Sequence, residues 1–160
     1  MLSAIDYRWA FSLHMLGVLG FVMAHGVSVA MLFRVRRERD RQRIQELISF
    51  SGSTAVAMYV SLAALLVGGV IAGIQGHFWG YGWIWVSLGL LIAVSGFMTV
   101  IAKPYYKQVT EAVQLRPSGV PRKSDEELEA VLSSGRPLLI VWVGFGVLLA
   151  ITWLMIFKPF

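Results

Sequence analysis

Residues 13–26 read LHMLGVLGFVMAHG, and they lie inside an uncharged run from Trp9 to Phe33. A helix needs ~20 residues to cross ~30 Å of hydrocarbon, so this run is of membrane length. It also holds two of the chain's 3 histidines, His14 and His25. Three further runs, 54–74, 83–101 and 137–157, are as apolar and contain no Asp, Glu, Lys or Arg. Backbone at membrane depth must satisfy its own hydrogen bonds, as a helix or as a closed barrel. A barrel would show alternating segments of ~10 residues, and these are absent. The expectation is an all-α, four-helix transmembrane bundle forming one domain over residues 1–160.

Composition agrees, since 57% of the 160 residues are hydrophobic, too many for a soluble domain of this size. The first run is too long for a signal-peptide core and lacks a small-residue cleavage site, so it is expected to remain as a helix. There is no cysteine, which excludes disulfides, thiolate metal sites and cysteine nucleophiles.

The charges divide unequally. The segment 34–53 begins RVRRERDRQR and carries Arg34, Arg36, Arg37, Arg39, Arg41 and Arg43. The segment 102–136 carries Lys103, Lys107, Arg116, Arg122, Lys123 and Arg136, against only Arg8 and Lys158 on the other side. Basic loops stay in the cytoplasm, so both termini are expected on the non-cytoplasmic side of the membrane. Topology and anionic headgroups account for this charge, and nucleic acid is not an expected partner. The six arginines of the first loop are expected to face lipid headgroups.

Within the first loop, SFSGS (49–53) reads as a turn into the second span. The outer loop QGHFWGYGW places Phe78, Trp79, Tyr81, Trp83 and Trp85 at one interface, where amphipathic rings prefer to sit. Pro104 lacks a backbone N–H, so it either ends the third span or begins a new helical turn. Ser124 followed by Glu127 fits a capping box opening a short amphipathic helix. The inner loop 102–136 is the candidate surface for a soluble partner, the alternative being that it packs on the headgroups.

Small residues recur at four-residue spacing in the second span: Ala57, Ser61, Ala64, Gly68 and Ala72, with Gly69 and Gly73 beside them. Span one offers Gly17, Gly20 and Ala24, and span three offers Gly89, Ala93 and Gly96. Such stripes let membrane helices approach closely, either within the chain or between subunits.

Eleven residues make three helical turns and ~20° more, so His14 and His25 share a face ~16 Å apart. Polar groups at this depth face the bundle interior. Tyr59, Met58 and Met98 match His25 in depth, and His77 matches His14. Three readings follow. The histidines hydrogen-bond across the bundle, Tyr59 serving His25; or His14, His25 and His77 ligate haem b or copper; or they relay protons. No HExxH motif, P-loop or dinucleotide fingerprint occurs, and no catalytic residue is assigned.

The LHMLGVLGFVMAHG stretch with its arginine-rich exit, and the GIQGHFWGYGWIWVSLGLLIAVSGFMTVIAKPYYKQV stretch, resemble a group of small bacterial four-span membrane proteins of uncharacterised function. That group is distantly similar to the copper-resistance CopD domain and to HemJ-type protoporphyrinogen oxidases. The resemblance implies a helical membrane fold and carries over His14 as a haem or copper ligand. HemJ proteins also use a lysine within the membrane, and no span here contains one. The expected function is therefore a non-catalytic inner-membrane protein, an accessory or assembly subunit associating with other membrane subunits or with itself. The alternative is a haem b- or copper-binding redox protein.

Overall fold

The computed structural model describes residues 2–160, with side-chain surroundings from Tyr7 onward. Helix α1 (Leu2–Arg37) and helix α2 (Arg41–Gln75) form a long antiparallel hairpin. A 3-10 turn (Phe78–Gly80) leads to α3 (Gly82–Phe97), a π turn (Met98–Ala102) and α4 (Lys103–Val113). The short α5 (Asp125–Leu132) precedes α6 (Arg136–Phe157). Four helical stretches are long and apolar enough to span a membrane, and no strand occurs among the described residues. The fold is an all-α four-helix bundle.

The first hairpin is held by the absence of side chains. A β-carbon on Gly68 would stand 2.5 Å from the His14 backbone nitrogen, and one on Gly20 would stand 2.5 Å from Ser61 Oγ. Gly17 likewise meets the Leu65 backbone, with Leu65 Cα at 2.7 Å from its missing β-carbon. Near the basic end, Ser28 Oγ and Thr54 Oγ1 hydrogen-bond at 3.1 Å. These pairs keep one antiparallel register along the whole hairpin. Close backbone approach of this kind drives helix pairing where lipid removes the hydrophobic incentive.

One sequence expectation changes here, and one pair of alternatives is decided. SFSGS is not a turn, because Phe50–Ser53 lies inside α2. Ser53 Oγ donates to Phe50 O and Thr54 Oγ1 donates to Ser51 O, both at 2.7 Å. The hydroxyls thus bond back within the helix instead of competing with it. The real turn is Glu38–Asp40. There Asp40 caps α2 by accepting from the Gln42 and Arg43 backbone N–H groups. Of the two alternatives at Pro104, the structure takes the second, a new helical turn. The chain winds into a π turn, with Lys103 N–H donating to Met98 O, and Pro104 falls in the first turn of α4. A wider turn at this point accommodates a residue that cannot donate to the helical ladder.

The two ends of the bundle are built differently. At the aromatic pole, Trp83, Ile84 and Leu154 pack with Phe78 and Trp79. Trp83 N–H donates to Phe160 O at 3.2 Å, and Lys158 Nζ sits 4.4 Å above the Phe78 ring. At the basic pole, Leu32, Val35, Ile44, Tyr105, Val109 and Leu132 belong to a core shared by α1, α2, α4, α5 and α6. Between the poles, contact is concentrated within the α1–α2 pair and, more sparsely, the α3–α6 pair.

Candidate functional site

The histidines lie in three separate settings. The His14 ring occupies the space left by Gly69, whose β-carbon would stand 2.9 Å from Nδ1. That nitrogen is 2.8 Å from Leu65 O. A carbonyl only accepts, so Nδ1–H is the donor, and a neutral ring keeps its Nε2 lone pair. Gly69, expected as a packing residue, therefore also makes the berth for this imidazole, while Gly68 admits the His14 backbone.

His25 faces α6 and the π turn. Its ring stacks on Phe21 at 5.9 Å between centroids and tilts against Phe145 at 5.7 Å. Gly144 is the notch that admits it. A β-carbon there would meet Met98 Cε at 2.9 Å and His25 Nε2 at 3.3 Å. An imidazole and a thioether side chain thus converge on one point, where α1, the π turn and α6 meet. Tyr59, the partner expected for His25, is instead 59% exposed on the outer face of α2. The two residues match in depth, and the rotation of α2 separates them.

His77 is exposed and left-handed, with φ 54° and ψ 34°. It follows Gly76, the C-cap of α2, and its conformation turns the chain out of the helix. Eight residues separate Gly69, beside His14, from position 77, or ~12 Å along the axis. The structure brings no two of the three imidazoles together. Among the described residues, no group of three or more His, Asp or Glu side chains could hold a metal ion.

The small-residue positions also divide. Gly17, Gly20, Ser61, Gly68 and Gly69 are used between α1 and α2, whereas Gly73 receives the Trp79 indole, with Nε1 at 3.1 Å from its missing β-carbon. Gly89 and Gly96 of α3 and Gly146 of α6 have no such neighbour within 4 Å among the described residues.

The six arginines of the loop divide into two sets. Arg36 Nε donates to Leu132 O at 3.3 Å, at the C-terminal end of α5. Arg39 Nε pairs with Glu129 Oε2 at 2.7 Å. Arg41 donates to Ala112 O, to Lys123 O at 3.0 Å and to Asp125 Oδ1 at 2.6 Å. These three side chains tie α5 and the end of α4 to the hairpin. Arg34, Arg37 and Arg43 instead line an open groove. The helical period would have separated these sets only if the position of α5 were known.

Glu38 organises the turn between α1 and α2. Its Oε1 accepts the backbone N–H of Arg39 at 2.9 Å and of Asp40 at 3.0 Å. Those two bonds, the Asp40 one first, hold its carboxyl below the usual carboxylate range.

A family model described as "Predicted integral membrane protein (DUF2269)" matches residues 11–159. No curated protein and no solved structure matches the chain.

Proposed function

The chain belongs to the DUF2269 family of predicted integral membrane proteins, and from that premise we propose a non-catalytic accessory or assembly subunit in a bacterial cytoplasmic membrane. The basic pole lies in the cytoplasm and both termini lie outside, in keeping with the positive-inside rule. The observation that carries this reading is the uneven use of glycine. The α1–α2 hairpin fills its own close-approach positions, whereas Gly89, Ala93 and Gly96 lie exposed on one face of α3. A second transmembrane helix can approach that face closely enough for backbone contact.

The test is purification in mild detergent followed by native mass spectrometry, for the wild type and for Gly89→Leu with Gly96→Leu. Defined membrane subunits should accompany the wild type and be lost from the double variant, with its melting temperature unchanged. A wild-type chain that runs as a monomer, free of other subunits, would defeat the proposal. A complex of this chain alone would replace it with self-association.

The convergence of His25 and Met98 favours a second reading, a haem b- or copper-binding protein. Imidazole and thioether suit a soft metal such as Cu(I), and the pair also suits haem iron. Two axial histidines from this chain do not fit, because the imidazoles are too far apart. His14, the ligand implied by resemblance, keeps one ring nitrogen for a ligand supplied by a partner. Absorption spectra and elemental analysis separate the readings. A Soret band or stoichiometric copper that disappears in His25→Ala and in Met98→Leu supports this one, and a colourless, metal-free preparation removes it.

A further inference from the structure

Three of the six arginines at the α1–α2 corner have their guanidinium groups committed to α5, to Lys123 O before it and to Ala112 O at the end of α4. The other three converge elsewhere. Arg34 and Arg37 from the last turns of α1 and Arg43 from the first turn of α2 line one groove of about 650 Å³. Leu47 and Phe50 form its apolar wall, and Phe50 is 55% exposed. Two acids line it as well, Glu38 and Glu46, and both already accept hydrogen bonds. Glu38 holds the turn's backbone N–H groups, and Glu46 Oε1 accepts from Gln42 Nε2 at 3.2 Å. Among the described residues, none of the ion pairs involves Arg34, Arg37 or Arg43.

The groove's height decides what it can hold. Arg34 directly follows the uncharged run ending at Phe33, and Phe50 lies just before the apolar stretch that starts at Thr54. Its three guanidinium groups therefore lie at headgroup depth, and its Leu47–Phe50 wall continues toward the hydrocarbon. A soluble anion would match the guanidinium groups but leave the exposed phenyl ring without a partner. A lipid phosphate with its glycerol and first methylenes matches both. Guanidinium forks bind phosphate oxygens in bidentate geometry.

We propose that Arg34, Arg37 and Arg43 bind the phosphate of an anionic phospholipid at the basic pole, its glycerol–acyl junction resting on Leu47 and Phe50. The α1–α2 arginines would then have two separate tasks, one set fastening α5 and the other holding lipid. This inference does not depend on the accessory-subunit reading.

The experiment uses the full chain, delipidated in detergent and titrated by native mass spectrometry with phosphatidylglycerol, phosphatidylcholine and inorganic phosphate. The wild type should retain phosphatidylglycerol at least about tenfold better than phosphatidylcholine at low salt, since each basic residue near the surface is worth about fivefold. R34Q with R37Q and R43Q should lose that preference, and the corresponding lysine variants should keep most of it. Phe50→Ala should weaken phosphatidylglycerol retention without creating affinity for inorganic phosphate. If the triple glutamine variant does not fold, R43Q against R43K gives the same comparison, at about fivefold. Three results overturn the proposal: a preference unchanged in the glutamine variants, no preference in the wild type, or inorganic phosphate displacing the lipid at equal concentration.

Discussion

A β-carbon added at Gly17 or Gly68 would land on the backbone of the facing helix, 2.7 Å from Leu65 Cα in the first case and 2.5 Å from the His14 nitrogen in the second. Backbone cannot step aside as a flexible side chain can, so the helices must part. Gly17→Ala should lower unfolding stability in detergent by roughly 1–3 kcal/mol, the usual cost of overpacking. Gly52 is helical, exposed, and has no atom within 4 Å of its missing β-carbon among the described residues. Gly52→Ala should therefore raise stability by about 0.5–1 kcal/mol through reduced backbone entropy. Two glycines with opposite outcomes under one assay make the close-approach argument testable. Tyr105 offers a different contrast. It is 1% exposed in the basic-pole core, and its buried hydroxyl has no hydrogen-bond partner among the described residues. Leaving a hydroxyl dry and unpaired is unfavourable, so Tyr105→Phe should melt at the same temperature as the wild type or higher. A drop of several degrees would mean that the hydroxyl has a partner, such as an ordered water.

At the scale of elements, α5 is too short to be stable alone, since isolated helices under ~12 residues are marginal in water. It is secured by its capping box, Ser124 with Glu127, by its apolar face, Leu128 and Leu132, and by arginines reaching from the hairpin. Arg41 joins α2 to both the end of α4 and the start of α5. Arg41→Ala should expose residues 114–132 to limited proteolysis while the four spanning helices keep their circular dichroism. The turn before α2 should respond to acid. Glu38 has a carboxyl held below its ordinary range by the Asp40 and Arg39 N–H groups. A depressed folded value means that its contribution is complete above the unfolded carboxylate range and is lost as pH falls through the folded value. Amide exchange at Arg39 and Asp40, corrected for intrinsic rates, should therefore accelerate in acid, and Glu38→Gln should abolish that dependence.

At the scale of the whole molecule, the Arg39–Glu129 and Arg41–Asp125 pairs place residues 34–43 and 111–136 at the same pole. The chain has no cysteine, so single introduced cysteines report topology without background. Gln42→Cys and Ser118→Cys should both react only after the cytoplasmic face is opened, and Gly80→Cys should react from outside. Reaction of positions 42 and 118 from opposite sides would break the fold described here. Four spans, their heights and their basic connections follow from runs of uncharged residues, because hydropathy and helical rise act along the chain. The Ser124–Glu127 cap is legible for the same reason, its contact being local. What hydropathy leaves undetermined is rotation about each helix axis and the choice of neighbour. His25 and Tyr59 agree in depth and point to different places, whereas Met98 agrees in depth and shares with His25 the space over Gly144. The six arginines look equivalent along the chain, and only the docking of α5 divides them into those that fasten protein and those left facing the groove. Sequence alone determined the solvent, the number of crossings and the charged pole, since each depends on one segment at a time. Tertiary structure decided which side chains meet, since that depends on the relative rotation of separate segments, which packing alone establishes.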